Sequence, residues 1–330
     1  MTNDAILITG GAGYIGSHTV LACRAASYPV VVLDNLSTGR RSLVPEDVPF
    51  YHGDAGDPTM LAEIFGNHRI AVVIHFAGDI VVPESVAAPL SYYLNNTCKT
   101  RSLLQSCVDH KIDRFVFSST AAVYGQPDTI PVSESAPTRP ANPYGTSKLM
   151  VEWMLRDAAH AHDLRYAALR YFNVAGADPL GRTGQATPKA THLVKVACEA
   201  ASGKRREIQV FGDDYETPDG TCVRDFIHVS DLARAHVSAL DYLRENRESV
   251  TLNCGYGRGY SVREVLEGLK RITGRRVPTR IVPRREGDVA ALVADASRLR
   301  RTFDWVPEYD DLEFILRTAL DWELGQAVPG

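Results

Sequence analysis

The sequence predicts an α/β fold, a Rossmann-type doubly wound parallel sheet joined to a smaller, interleaved C-terminal substrate domain. Three observations carry this expectation. Short apolar runs alternate with longer helical stretches through the first half, those runs are continuous rather than alternating, and the rhythm fades after residue 171. Continuous apolar runs suit strands covered on both faces, and their alternation with helices makes a parallel sheet.

The strand candidates are residues 5–9, 30–34, 71–76 and 114–118, with a further strand just before Gly53 and Asp54. Helical patterns lie between them at 17–26, 58–67, 91–108 and 143–161. Beyond Tyr171, loops rich in Gly, Pro and Asp occupy 176–184 and 212–220, and the second domain is placed here. The helical run 231–243 is expected to return to the first domain, with Leu252-Asn253-Cys254 as another strand of its sheet. The expected division is 1–171, with returning segments near 230–255, against 172–330.

With 330 residues, 45% hydrophobic and 23% charged, the composition is that of a globular protein. A net charge of -4 gives no global reason to expect nucleic acid or an anionic membrane as partner, so any anion must be held by local groups. The six cysteines form no CxxC pair and have no histidine at metal-site spacing, which points to reduced thiols and no metal. No segment reads as a signal peptide or a membrane span, so a cytoplasmic location is expected.

Gly10, Gly13 and Gly16 follow the first strand and open the first helix in a GxxGxxG spacing. Lacking Cβ atoms, they let the backbone turn tightly and approach a pyrophosphate, which the helix N-terminus favours with unpaired N–H groups. Asp34 ends the second apolar run, where an acid can accept hydrogen bonds from both adenosine ribose hydroxyls. Its charge repels a 2′-phosphate, so the expected cofactor is NAD, and Arg40 and Arg41 read as surface charges. Asp54 is a candidate for the adenine amino group or a loop cap. Phe76-Ala77-Gly78 is a passage for the cofactor or a strand-end turn.

Tyr144 and Lys148 share a YxxxK spacing on one face of a helix that opens at Pro143. A phenol with a pKa of about 10 is a poor base at neutral pH, and a neighbouring ammonium lowers the cost of ionising it. The pair then suits removal of a hydroxyl proton while hydride leaves for the cofactor. An exposed Tyr and Lys on an amphipathic helix is the alternative. Thr120, at the end of Ser118-Ser119-Thr120, is placed to hydrogen-bond the reacting oxygen or to cap a turn.

Taken together, TGGAGYIGSH, Asp34-Asn35-Leu36, HFAG, SSTAAVYG, YGTSK, LRYFNVAGADP, VRDFIHVSDLA and PRREGD resemble the extended short-chain dehydrogenase/reductases, and within them the bacterial UDP-glucose 4-epimerase family. The likeness runs from about residue 5 to 305. It implies reversible C4 epimerisation of UDP-galactose and UDP-glucose through a 4-keto sugar, with NAD kept bound. Tyr144 would be the acid/base, Lys148 its electrostatic partner and Thr120 the hydroxyl beside the sugar O4. Cofactor contacts are implied for Gly10, Gly13, Tyr14, Ile15, Gly16, Asp34, Asn35, Asp54, Ala55, Phe76, Ala77, Gly78, Asn95, Tyr144, Lys148 and Phe172. Substrate contacts are implied for Thr120, Asn173, His192, Gln209, Val210, Phe211, Arg224, Arg285, Asp288 and Leu292, the two arginines as diphosphate clamps.

His192 stands where these enzymes commonly carry asparagine, Ile80 where some have lysine, and Leu292 where bulk separates hexose-restricted relatives from those that accept N-acetylhexosamines. Epimerases of other UDP-sugars are therefore alternatives. Ala121 and Ala122 replace the acids that dehydratases carry after SST, and a non-catalytic NAD-binding protein would not need Tyr144 with Lys148. The resemblance also implies a homodimer paired through the helices at 91–108 and 143–161. Leu103, Leu104, Trp153 and Met154 are candidates for that contact or for core packing.

Overall fold

Strand β1 (Ala5–Thr9) is buried at every residue and splits its side chains between two cores. Ile6 and Ile8 enter one cluster with Val20, Val32, Leu232 and Leu240, whereas Ala5 and Leu7 enter the other with Leu61, Leu103 and Leu155. Strand β2 (Val30–Asp34) divides in the same way, which is the physical reason for continuous apolar runs. The computed structural model describes residues 4–188, 190–245, 248–285 and 287–325.

Between and after these strands come α1 (Tyr14–Ala25), β3 (Phe50–His52), α2 (Pro58–Asn67), β4 (Ile70–His75), α3 (Val82–Ala87) and α4 (Pro89–Tyr92). A π-helical segment, Tyr93–Cys98, leads into α5 (Lys99–Asp109), followed by β5 (Arg114–Thr120), α6 (Pro143–Ala161) and β6 (Arg165–Tyr171). Then come β7 (Asn173–Ala175), α7 (Leu193–Ala201), β8 (Ile208–Phe211), β9 (Val223–His228), α8 (Val229–Glu245) and β10 (Val250–Cys254). The last elements are β11 (Gly259–Ser261), α9 (Val262–Thr273), β12 (Thr279–Val282), β13 (Ala291–Leu292), α10 (Ser297–Phe303) and α11 (Leu312–Gly325).

Seven parallel strands form the main sheet in the order β10-β6-β5-β4-β1-β2-β3. The chain winds outward from β1 through β3, then crosses to β4 and winds the other way. This reversal opens a crevice between β1 and β4 at their C-terminal ends, where ligands bind in such sheets. The expected doubly wound α/β class is therefore the observed one. Further along the chain, α8 packs on α1 and β10 pairs with β6. Outside the main sheet, β9 is flanked by β11 and β13 and also pairs β7, while β8 and β12 form a separate parallel pair.

Several boundaries differ from expectation. Helix α1 starts at Tyr14 rather than residue 17, because Gly13 is already its N-cap and the phosphate-type loop runs straight into the helix. Strand β5 continues to Thr120, so the SST hydroxyls belong to the strand itself. The single helix expected at 91–108 is interrupted by the π-helical segment, a local widening often found at functional sites. Within it and α5, Leu103 and Leu104 are buried in the core, and Met154 of α6 packs partly against that same core. Of the four candidate contact residues Trp153 is the exposed one.

Candidate active site

The glycine loop is built by close backbone packing. Gly10 has φ +73, and a Cβ there would lie 2.6 Å from Ala77 N and 2.9 Å from Phe76 C, across the crevice between β1 and β4. A Cβ on Gly16 would lie 2.2 Å from Gly10 O. Gly13 differs, since its Cβ would meet a single atom, Gly10 O at 3.2 Å. Packing therefore requires glycine at 10 and 16, whereas Gly13 leaves open backbone at a helix N-terminus, the feature a pyrophosphate needs.

Asp34, buried at the end of β2, accepts hydrogen bonds from Ala12 N (2.9 Å) and Leu36 N (2.8 Å). These bonds aim the carboxylate at the loop, where its remaining lone pairs suit ribose hydroxyls. Beside it, Asn35 is exposed and caps Ser37 N at 3.0 Å. Arg41 donates to Val44 O at 2.7 Å and stacks over Phe50, consistent with a surface role. Asp54 accepts from Gly56 N (2.8 Å) and pairs with Lys99 (2.6 Å). Burial raises its carboxyl and these bonds outweigh that, leaving it lowered, so the loop-cap alternative describes its contacts inside the chain. Ala55 packs against the second core and Ile15 against the first.

Gly78 ends the passage after β4, and a Cβ on it would meet Asn96 Oδ1 at 2.8 Å and stand 3.7 Å from Lys148 Nζ. The π-helical segment supplies the neighbouring polar groups. Asn95 donates to Asp79 Oδ2 (2.7 Å), and the buried Asn96 accepts from Asp79 N (2.7 Å) and donates to Ser147 Oγ (3.0 Å). Ser147 in turn donates to Tyr144 O at 2.8 Å. Asp79, Asn96 and Ser147 were not legible as a cluster from the sequence, because they meet only once the helix interrupts its own pitch.

Tyr144 and Lys148 stand on the same face of α6, whose N-terminus is capped by Asn142 through Gly145 N at 2.9 Å. Lys148 is buried; its ammonium donates to Ser118 O (3.1 Å) and lies over the Phe117 ring. Burial pushes it down to about 8, and Asp79 pulls it partly back. The Tyr144 phenol is raised by burial, with a hydrogen bond to Thr120 acting the other way. The lowering expected from Lys148 is thus not what the chain's own groups produce: desolvation wins, and the ammonium is directed to the strand carbonyl. Thr120 also accepts from Ala122 N at 3.1 Å, so it both caps a turn and meets the phenol. Tyr171, at the end of β6, hydrogen-bonds Ser118 Oγ, a contact the sequence reading did not contain.

Tyr14 sends its hydroxyl to Gly176 O (2.6 Å), tying α1 to the first loop of the second region. Phe172 is buried with Tyr124 and Val132 in a cluster against which Leu292 packs. Leu292 lies opposite Arg224 in the β13–β9 register, and Asn173 lies opposite Phe226 in β7–β9, so three of the implied substrate residues share one small sheet. Arg224 approaches Asp288 at 3.6 Å, and the Arg285 guanidinium lies 3.6 Å from the Phe211 ring centroid. Gln209 is exposed and Val210 buried on β8, the alternation of a half-covered strand. His192, the N-cap of α7, shares a 3.0 Å hydrogen bond with Gln185, and burial lowers its pKa, keeping it neutral. Glu286 of the PRREGD motif lies outside the described residues.

The VRDFIHVSDLA motif turns out to be an anchor. Asp225 is fully buried and accepts from Tyr256 N (3.0 Å), Gly257 N (2.9 Å) and Ala294 N (3.2 Å). Burial pushes it up to about 6 against the pull of those bonds. It joins β9, which carries Arg224, to the turn after β10 and the segment after β13. Asp231 accepts likewise from Tyr256 OH (2.6 Å) and Tyr309 N (2.9 Å).

Comparison with known proteins gives consistent matches. The model of the NAD dependent epimerase/dehydratase family matches residues 6–255. A UDP-glucose 4-epimerase from Azospirillum brasilense is 58% identical over 96% of this chain and 91% of its own length. The crystal structure of a UDP-glucose 4-epimerase from Brucella ovis in complex with NAD is similar, with a TM-score of 0.94, 45% identity and 98% of each chain covered. So is that of a UDP-glucose-4-epimerase from Stenotrophomonas maltophila with bound NAD and formylated UDP-arabinopyranose, with a TM-score of 0.93, 42% identity, and 97% and 98% covered.

Proposed function

The chain belongs to the NAD dependent epimerase/dehydratase family, and on that premise we propose that it interconverts UDP-galactose and UDP-glucose by inverting C4. The carrying observation is that Tyr144 meets the Thr120 hydroxyl while the buried Lys148, one turn further along the same helix face, reaches Ser118 O, both at the C-terminal end of β5. The glycine loop fits NAD: Gly13 leaves its backbone open, and Asp34 is fixed at the ribose position by Ala12 N. When bound, NAD supplies a reversible hydride acceptor that carries positive charge.

Residues 1–171 with the return near 230–255 serve as the cofactor domain in this reading, and Gly13 to Gly16, Asp34, Gly78, Asn95 and Lys148 are its holding groups. Tyr144 exchanges the O4 proton with the sugar and Thr120 holds that oxygen through its hydroxyl. Because a phenol is protonated at neutral pH and burial raises this one further, it acts as a base only when a further positive charge stands nearby. Arg224 and Arg285 grip the diphosphate, and Leu292 with Phe172 bounds the space for the sugar. Among the described residues no cluster of metal-ligating side chains occurs, and none of this chemistry needs one.

Two finer assignments belong with this reading. A homodimer is supported by exposed apolar side chains at Val86, Leu90, Leu94 and Trp153, carried by α3, α4 and the π-helical segment and by α6, against which those three pack. A cytoplasmic site is supported by six unpaired cysteines, and no described helix is long and apolar enough to cross a membrane.

The test is conversion of UDP-galactose to UDP-glucose by the purified protein with NAD, within a panel of N-acetylated, pentose and uronate UDP-sugars. Tyr144→Phe is expected to lower kcat by about 100- to 10,000-fold while NAD stays bound. Unchanged turnover would remove Tyr144 from its role, and no conversion of any panel member by the wild type would remove the activity.

A further inference from the structure

Helix α6 faces the end of β5 through three successive contacts. Thr120 meets Tyr144, Ser118 O accepts from Lys148 at 3.1 Å, and Ser119 Oγ donates to Glu152 Oε1 at 2.5 Å. Residues 144, 148 and 152 are spaced four apart, so they line one face of the helix. The proposed reacting pair is therefore two rungs of a three-rung ladder.

The third rung has the most bonds. Glu152 is buried and takes both of its oxygens to Arg170, Nε to Oε1 at 2.9 Å and Nη2 to Oε2 at 2.6 Å. Burial opposes the Arg170 charge, and the bonds to Glu152 outweigh it. Ser119, Arg170 and Asn253 stand in register across β5, β6 and β10, so their side chains share a sheet face. Arg170 Nη1 donates to Tyr124 OH at 2.9 Å, which donates to Asn253 Oδ1 at 2.6 Å. Asn253 closes the network on the loop after β5, through Val132 O at 2.8 Å and Glu134 at 2.9 Å.

A buried ion pair is weak as a source of stability, since apolar groups of like volume do as well. Directional bonds do what apolar packing cannot, which is to hold one element at a set distance and rotation from another. We propose that Glu152 is a positioning residue: held by Arg170, it fixes through Ser119 the seating of helix α6 on strand β5, and so the placement of Tyr144 and Lys148 against Thr120 and Ser118. Lys148 needs this because its long stem has many rotamers and the helix sets where it starts. Arg170 extends the same control to Tyr124, which packs in the cluster that Leu292 borders.

The inference rests on the epimerase reading for its kinetic arm alone. Ser119→Ala removes the rung and leaves Glu152 paired with Arg170, while Glu152→Gln keeps the volume and breaks the pair. Ser119→Ala is expected to lower kcat on UDP-galactose about 10-fold and Glu152→Gln about 100-fold, with KM within about twofold of wild type. A crystal structure of Ser119→Ala is expected to show Lys148 Nζ moved beyond about 3.5 Å from Ser118 O. A kcat within about twofold of wild type for Ser119→Ala, or a structure of that variant with Lys148 Nζ still about 3.1 Å from Ser118 O, would overturn the proposal. Should Glu152→Gln fail to fold, Ser119→Ala decides. If the wild type converts no UDP-sugar, the activity reading fails, and the Lys148 distance in the variant still judges the ladder.

Discussion

The crevice of the main sheet and the small sheet around β9 hold their polar groups in different ways. In the crevice they are bonded inside the protein. His75 lies between Thr9 Oγ1 (2.7 Å) and Thr100 Oγ1 (2.8 Å), burial takes its pKa down to about 3, and Asn96, Lys148 and Glu152 are each held by named partners. Around β9, the implied substrate groups have fewer charged partners: Arg224 donates to Val223 O at 2.9 Å but stands 3.6 Å from Asp288, Arg285 leans on a ring, and Gln209 is exposed. Pre-set dipoles suit a reaction in which charge develops, because they need not reorganise. Arginines short of charged partners suit the capture of a diphosphate, which offers a stronger partner than any they have.

The sharpest way to break this contrast is at Gly10. Gly10→Ala places a Cβ at φ +73 and 2.6 Å from Ala77 N, backbone that cannot swing aside. A loss of about 2–4 kcal/mol is expected in urea unfolding, together with loss of bound NAD. Gly66→Ala, in α2 with nothing within 4 Å, is the control and is expected to gain about 0.5–1 kcal/mol. Equal behaviour of the two would show that the crevice is not built by close packing.

Arg224→Ala probes the other region with a smaller effect. The KM for UDP-galactose is expected to rise about 10- to 100-fold, the worth of a hydrogen bond to a charged group, with kcat and retained NAD near wild type. Unfolding free energy should fall by about 1 kcal/mol, the worth of its bond to Val223 O, because its carboxylate contact is long. A kcat loss without a KM change would place Arg224 in the chemistry and erase the division between the two regions.

These two regions also differed in how far they could be read in advance. The glycine loop, Asp34 and the Tyr144–Lys148 pair are local patterns, so spacing alone brings their side chains to one strand end or one helix face. The β1, β2, α2 and α6 boundaries were equally legible, because Pro58 and Pro143 mark helix starts and apolar runs mark buried strands. The π-helical segment was not, since its sequence keeps a helical pattern and the widening shows only in the Asn96 contacts. Glu152 carried a signal that passed unread: it continues the spacing of Tyr144 and Lys148 by one more turn. Arg170 and Asn253 carried none, because their meeting depends on strand order. Around β9, residues far apart in sequence converge, and only resemblance had named them.

The mildest test of the contrast is a titration of Lys148. Its ammonium is buried, bonded to Ser118 O, and faces Asp79, with His75 neutral nearby. Burial sets its folded pKa at about 8, below the unfolded value near 10.5. Between those two values the unfolded chain binds more protons than the folded one, so this group's contribution to stability rises with pH across that window. Activity should move the opposite way, because the ammonium one helical turn from the reacting tyrosine loses its charge as pH passes about 8. Turnover of UDP-galactose is therefore expected to decline above that pH while the urea midpoint of the protein without added NAD holds or rises. Lys148→Met should flatten this limb of the pH–rate profile and leave a low, pH-independent rate. A parallel fall of turnover and stability in the wild type would mean that alkali loosens the fold rather than discharging one buried lysine, and the crevice would then be no more pre-set than the sheet around β9.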